Sequence, residues 1–199
     1  YNNIHIPDVT GKGIFSHATR YLNPRSKGID GDPNWFAVYE TDREDVERAW
    51  EENVKGADSW SNGGGIQAAL TVTMRGLYKR MESSPIPPVG KRTKGILVSM
   101  KDCKAEADEV AFNKWHDEVH TPEVLGSGAF WGGMRFVNAN PKSQSPRYLN
   151  IYETDLDSVE AQKVMAARPN PDPTAGLGEW GIRRYGGGMD LIFSQAANG

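Results

Sequence analysis

Apolar and polar residues in the C-terminal half of the chain alternate with the periods of strands and helices. Short apolar runs predict strands over residues 94–100, 130–138, 147–154 and 189–195. Between the first two, residues 105–120 place Phe112, Trp115 and Val119 on one helical stripe, which Pro122 is expected to end near Thr121. Residues 156–168 predict a second helix, with Asp155 as its N-cap and Pro169 after its end. The predicted order is β-α-β-β-α-β.

The N-terminal half repeats this pattern. The sequence WFAVYETD at 35–42 matches YLNIYETD at 148–155, about 113 positions later. Residues 4–9 match 119–124 about 115 positions later, and the match extends from Phe15 and Arg20 to Phe130 and Arg135. The leading strand of the first copy would fall before Tyr1, so we expect roughly 20 or more residues of the natural N-terminus to be absent here. A partner or a permuted strand is the alternative.

The β-α-β-β-α-β order is the split βαβ, or ferredoxin-like, unit, and it defines an α+β fold. We predict two tandem units that close into one barrel. The first spans residues 1–82 and lacks its leading strand and most of its first helix; the second spans 94–199. The Pro-rich stretch 83–93 is expected to be a linker, and its PxxP sequence at 85–88 also fits an SH3-type ligand.

Strand residues alternate between two faces, which can be compared in the repeated strands. One face carries Phe36 and Val38, or Leu149 and Ile151, and is expected to pack on the helices. The other face is aromatic and polar, with Trp35, Ala37 and Tyr39, or Tyr148, Asn150 and Tyr152. We expect this second face to lie inside the barrel around a small-molecule pocket, or else simply to fill the space between the sheets.

Composition narrows the class of partner. The chain has 199 residues, 38% of them hydrophobic, and a net charge of −3 without a long run of either sign. This argues against nucleic-acid and anionic-membrane binding. The single cysteine, Cys103, excludes an internal disulfide framework and a Cys-rich zinc site, and it fits a reducing compartment. Because no apolar stretch approaches the roughly 18 residues of a membrane helix, we expect a cytoplasmic protein.

His116 and His120 are the leading candidates for chemistry. They lie one helical turn apart beside the aromatic stripe, and histidine transfers protons near neutral pH. A helix C-terminus is expected to favour the cationic form of His120, and so a general-acid or shuttle role, although such a histidine also serves as a simple cap. Their spacing matches that of zinc ligands, but no third ligand follows. We predict no metal and no cofactor; a metal-dependent enzyme using both histidines is a lesser alternative.

The tandem units, the helix ending WHDEVHTP at 115–122 and the strand over 130–136 resemble the dimeric α+β barrel superfamily, and its EthD-like branch most. In that branch a His-x-Pro follows the first helix; here it corresponds to His120 and Pro122, and to His5 and Pro7. The resemblance implies cofactor-free isomerases, lyases and cyclases of aromatic or polyketide-like compounds, haem-binding relatives, or proteins without known chemistry. Tyr1 stands where the second copy has His116, so two sites would not be equivalent.

Together these features predict a cofactor-independent lyase or isomerase of a small aromatic or conjugated carbonyl compound. The predicted catalytic residues are His120, His116, Tyr152 and Arg135, and the predicted substrate-binding residues are Trp131, Asn150, Tyr148, Tyr39, Trp35 and His5. Arg20 and Arg135 could instead pair with Glu40 and Glu153 across the sheet. The alternative function is a non-catalytic small-molecule-binding or accessory protein of a catabolic or biosynthetic pathway. A homodimer is expected, with neither nucleic acid nor membrane as partner.

Overall fold

A computed structural model describes residues 1–27, 32–55, 70–83, 88–140, 142, 146–168 and 177–196. The strands are β1 (His17–Leu22), β2 (Trp35–Glu40), β3 (Tyr78–Arg80), β4 (Gly95–Cys103), β5 (Gly132–Asn138), β6 (Tyr148–Thr154) and β7 (Gly181–Ala196). The α-helices are α1 (His5–Thr10), α2 (Val46–Val54), α3 (Glu109–Trp115), α4 (Thr121–Gly126), α5 (Ser158–Ala166) and α6 (Leu177–Trp180). A 3₁₀ turn (Glu106–Asp108) precedes α3, and a π-helical turn (His116–His120) joins α3 to α4.

The strands form one seven-stranded antiparallel sheet in the order β2-β1-β7-β4-β6-β5-β3. Both edge strands contribute to one apolar cluster, because Phe36 of β2 and Tyr78 of β3 pack against the same buried residues. The sheet is therefore curled, and the chain has the α+β, barrel-like architecture that the sequence predicted at this coarse level.

The closing strand β7 is much longer than the predicted 189–195, with 16 residues. It pairs with β4 from Gly181 to Asp190 and with β1 from Asp190 to Ala196. The three glycines at 186–188 interrupt the apolar pattern, so the sequence predicted only the C-terminal part of this strand. At Gly188 an added Cβ would lie 2.0 Å from Gln162 Nε2, so this glycine lets α5 pack closely on the sheet.

The expected orientation of the sheet faces is wrong. The concave face carries the aliphatic residues, with Ile96, Val98, Met100, Leu149 and Ile151 in one buried cluster. Tyr148 and Tyr152 lie on the opposite face, where they pack against helical residues such as Phe112 and Val124. The inside of the sheet is therefore an aliphatic core, and the aromatic and polar face lies beneath the helices.

Helix α5 begins later than the sequence suggested. Its N-cap is Asp157, whose carboxylate accepts a hydrogen bond from the Glu160 amide at 2.9 Å, and not Asp155. The PxxP stretch and the Pro-rich segment 169–173 lie largely or wholly outside the described residues. No helix within the described ranges has the length and apolar character needed to cross a membrane.

Candidate functional site

The helical segment beneath the aromatic sheet face continues past the predicted stop. The backbone N–H of Thr121 bonds the carbonyl of His116, which is the i to i+5 pattern of a π turn. Pro122 lies in the first turn of α4, where its missing N–H is tolerated. In the interior of a regular α-helix the Pro122 ring would clash with the carbonyl four residues earlier. The wider π turn lies immediately before Pro122, where this clash would otherwise occur. His120 is therefore not at a helix C-terminus, so the predicted stabilisation of its cation by such a terminus is wrong.

The π turn directs both imidazoles at a lysine that the sequence analysis did not single out. Lys101 Nζ lies 3.1 Å from His116 Nε2 and 3.1 Å from His120 Nε2. All three side chains are buried, with Lys101 only 1% exposed. We call these three residues the lysine–histidine cluster. Lys101 is on β4 beside a register shift in the pairing with β7, and such irregularities re-aim side chains.

In the protonated form of Lys101, hydrogen bonding fixes the tautomer of His116. A lysine ammonium can only donate, so it requires a bare Nε2 on each imidazole that it contacts. The proton of His116 is then on Nδ1, which donates to Thr121 Oγ1 at 3.1 Å. The Trp115 ring stacks on His120 with a centroid separation of 4.9 Å and covers it. Lys101 Nζ thus bridges the two imidazoles, with one contact to each Nε2.

Burial shifts the titration of this cluster. It lowers the pKa of Lys101 to about 7, with additional repulsion from Arg183 and Arg135. The pKa of His116 also falls well below its usual value, first because of burial and then because of the positive charges of Lys101 and Arg135. A proton on Lys101 is therefore weakly held at neutral pH.

Arg135 supports the π turn. It is buried on β5 and donates to Asp117 and, at 2.8 Å, to Asn113 Oδ1, so it joins the sheet to the turn and to α3. Its Nε contacts Asn150 Oδ1 at 3.4 Å. The alternative pairing of Arg135 with Glu153 does not form; Glu153 instead accepts a hydrogen bond from Thr93 at 2.7 Å.

The predicted polar residues of β6 divide by their hydrogen bonding. Tyr148 donates to Glu109, and Asn150 donates to the carbonyl of Ser99, so both have partners within the protein. The hydroxyl of Tyr152 is buried and makes no hydrogen bond of ordinary geometry with the described residues, and the same holds for Ser99 Oγ. Burial raises the pKa of Tyr152 to about 12, an effect that the nearby Thr121 side chain partly offsets. These two buried hydroxyls lie on the same face of the sheet.

A second cluster, near the N-terminus, shares two features of this arrangement: the His–Tyr ring distance and the arginine hydrogen bond. We call Tyr1, His5, Arg20 and Tyr39 the N-terminal cluster. The His5 and Tyr39 rings are 6.3 Å apart, and those of His120 and Tyr152 are 6.4 Å apart. Arg20 donates to Asn2, as Arg135 donates to Asp117. The Tyr39 hydroxyl, however, is paired with that of Tyr1 at 2.8 Å.

The candidate residues therefore belong to two places rather than one. Tyr39 is on β2 and Tyr152 on β6, and the sheet order puts β1, β7 and β4 between them. Trp35 lies beside the N-terminal cluster under the Arg20 guanidinium and is 49% exposed. Trp131 precedes β5, and no hydrogen bond or ring contact within the described ranges links it to either histidine. Its buried Nε1 has no hydrogen-bond partner among the described residues.

A metal fits this site poorly. The two Nε2 atoms converge on one point, but the Lys101 nitrogen occupies it, and a metal there would have to displace or neutralise that group. The described ranges contain no group of three or more His, Cys, Asp and Glu side chains arranged to hold a metal ion. The donor set is that of a proton-sharing cluster.

The chain matches no family model and no curated protein. Solved structures resemble it in fold. One is described as a putative monooxygenase from Fusobacterium nucleatum, with 9% identity, a TM-score of 0.53, and coverage of 98% of this chain and 86% of its own. Another, a putative monooxygenase from Lactobacillus acidophilus, has 10% identity, a TM-score of 0.47, and coverage of 98% and 85%. A putative chlorite dismutase has 9% identity, a TM-score of 0.45, and coverage of 93% and 79%.

At such low identity the likeness to the Fusobacterium structure establishes a shared fold and nothing more specific. The class of architecture expected from the sequence is thereby supported, and the function must be argued from the site itself.

Proposed function

We propose that this protein is a cofactor-independent lyase or isomerase that moves a proton on a small aromatic or conjugated carbonyl compound. The observation that carries the proposal is the lysine–histidine cluster, in which a buried lysine nitrogen contacts two imidazole Nε2 atoms at 3.1 Å. General acid–base groups work best when their pKa lies near the operating pH, and that of Lys101 is about 7.

The cluster supplies both a proton acceptor and a proton donor. With Lys101 neutral, an imidazole Nε2 can accept a proton from a carbon next to a carbonyl. The cluster can then share that proton among three nitrogens and return it at another atom. His120 is the residue we assign to the transfer, and His116, held by Thr121, relays the proton.

The oxygen of the substrate needs donors, because negative charge develops on it as the proton leaves. Tyr152 and Ser99 supply buried hydroxyls without protein partners of ordinary geometry. Arg135 and Asn150 were expected to bind this oxygen, but their hydrogen bonds hold the π turn and the sheet. We therefore assign Tyr152 to the oxygen and Arg135 to positioning.

The proposed sequence repeat allows the two clusters to be compared, and the comparison favours a single main site. We propose that residues 1–82 and 94–199 are two ferredoxin-like units, joined by 83–93, of the EthD-like type. The matching ring distances of the two clusters support this division. Because the N-terminal cluster has Tyr1 in place of His116 and its Tyr39 hydroxyl is paired, we place the chemistry in the second unit. The expected homodimer remains a prediction.

Hydrogen–deuterium exchange tests the proposal without knowledge of the full reaction. The protein is incubated in D₂O with a panel of aromatic and conjugated ketones and lactones, and loss of the C–H signals next to the carbonyl is followed by NMR. We expect catalysed exchange with at least one compound, reduced about 10²–10⁴-fold in His120→Gln. His17→Gln is the matched control, since His17 contacts Ser194 far from the cluster, and it should exchange as the wild type does.

Two outcomes contradict the proposal. Exchange that persists in folded His120→Gln removes His120 from the mechanism. Binding that quenches tryptophan fluorescence, with no exchange or conversion of any compound, favours the non-catalytic binding or accessory protein instead.

A further inference from the structure

We infer that Lys101 is a covalent nucleophile, whose amine forms an imine with the carbonyl carbon of an aldehyde or ketone substrate. This rests on the proposed function, because it takes the carbonyl compound to reach the same cluster. It adds a chemical step that proton transfer by histidine alone does not contain.

The surroundings of Lys101 are those of a neutral amine. It is 1% exposed, and within the described ranges its side chain has no ion pair with a carboxylate. Its polar neighbours are two imidazoles, and the charged groups that act on it are Arg183 and Arg135. Buried lysines that only support structure are normally paired, whereas desolvation beside other cations is how catalytic lysines are made nucleophilic.

Neutral amine is available at physiological pH. With a pKa of about 7, Lys101 is half deprotonated at pH 7, while an ordinary lysine is deprotonated to only about 3 parts in 10⁴. The neutral fraction of Lys101 therefore exceeds that of a surface lysine by about 10³-fold.

The two histidines match the proton transfers that imine formation needs. The Lys101 lone pair attacks the carbonyl carbon, a C–N bond forms, and the carbonyl electron pair moves to oxygen, which takes a proton. The attacking nitrogen loses a proton to an imidazole Nε2. The imidazolium returns its proton to the hydroxyl, which leaves as water, and an iminium remains. One carbonyl, one amine and one proton taken from solvent give one iminium and one water, with no oxidant or reductant.

The iminium would make the proposed proton transfer easier. Its positive nitrogen withdraws electrons from the neighbouring C–H bond, whose proton an imidazole Nε2 of the cluster can accept, leaving an enamine. Reprotonation at another carbon completes an isomerisation, and hydrolysis by water releases product and restores Lys101. Trp115 stacks on His120, and its ring centroid lies 5.7 Å from the Lys101 nitrogen, so an aromatic ring borders the cluster.

Reductive trapping tests this directly. The wild-type protein is incubated at pH 7 with benzaldehyde and sodium cyanoborohydride, and the benzylated lysine is located by peptide mass spectrometry. We expect the Lys101 peptide to be labelled at least roughly tenfold faster than the peptide containing Lys114, an exposed lysine in a surface ion pair. Lys101→Met should lose the label, and Lys114→Met should keep it at Lys101.

Peptide mapping on the wild type gives the answer even if Lys101→Met fails to fold. Label spread evenly over surface lysines, or label at Lys101 no faster than at Lys114, overturns the inference. Benzaldehyde has no exchangeable α proton, so trapping reports only on imine formation and deuterium exchange reports only on proton transfer. Deuterium exchange without trapping leaves proton transfer intact and removes the imine; trapping without exchange on any panel compound leaves a reactive lysine and removes the proposed function.

Discussion

Lys101 and Arg135 are two buried basic residues on the same face of the sheet. Burying a charge is unfavourable, and the two side chains differ in how this is offset. A guanidinium cannot lose its proton in a protein, so Arg135 requires a partner, and Asp117 provides one. A lysine can shed its proton, and Lys101 has two imidazoles for neighbours in place of a carboxylate. The pair thus combines a fixed charge that positions the π turn with a movable proton beside it.

The lowered pKa of Lys101 makes stability depend on pH. Its value is about 7 in the folded chain and 10.5 when unperturbed, so between these values the unfolded chain binds more protons. The free energy of unfolding should therefore rise with pH from about 7 to 9.5, by up to about 1.4 kcal/mol per pH unit from this group. The groups facing Lys101 that could contribute are His116, His120, Arg183 and Arg135; His116 stays neutral throughout this range.

Urea unfolding at pH 7, 8 and 9 measures this contribution. We expect the rise in wild type to be absent or much reduced in Lys101→Met. Lys114→Met, which removes an exposed lysine, should keep the wild-type slope. Equal slopes in wild type and Lys101→Met would show that the pKa of Lys101 is not lowered in the folded chain.

At the scale of elements, the π turn determines what the histidine pair can do. It brings both imidazoles into contact with the Lys101 nitrogen. Arg135 of β5 holds the turn against the sheet by donating a hydrogen bond to Asp117. Since Asp117 is 32% exposed, losing Arg135 would leave its carboxylate partly, rather than fully, buried without a partner.

Arg135→Met should therefore lower the free energy of unfolding by about 2 kcal/mol or more, because it breaks a charged pair and strands buried amide groups. The matched control is Arg20→Met in the N-terminal cluster, where the partner Asn2 is uncharged and the site is partly open to solvent. Its cost should be about 1 kcal/mol. Chemical denaturation of both variants measures the difference; equal losses would mean that the charge of Asp117 contributes nothing.

The same elements show what sequence patterns can establish here. Spacing correctly placed His116 and His120 side by side, and alternation correctly grouped Tyr148, Asn150 and Tyr152. Alternation does not say which face meets the helices, and the aromatic stripe of α3 packs on Tyr148 beneath the sheet's convex side. Lys101 was missed because a lysine near the end of an apolar strand usually lies in solvent. The available signal was its position within β4. Strand alternation puts Lys101 on the face opposite to Val98 and Met100.

At the scale of the whole molecule, β7 joins the N-terminal and C-terminal halves of the chain. It pairs with β4 along its first part and with β1 along its last, and the concave core combines Tyr21 of β1 with Ile96 and Met189. The recurrence of Tyr-Glu-Thr-Asp could be found in the sequence. The sharing of β7 could not, since its pairing is between residues far apart in the chain and its glycines carry no apolar pattern.

The shared core predicts that the two halves of the chain unfold together. Tyr21→Ala removes a large side chain that is 7% exposed and should cost about 3–5 kcal/mol. In native-state hydrogen exchange, peptides of β1 and of β6 should lose protection by the same free energy, because both open only when the common sheet opens. Val110→Ala, at a position 81% exposed, should change neither. Loss of protection confined to β1, with β6 unchanged, would mean that residues 94–199 stay folded without the N-terminal half.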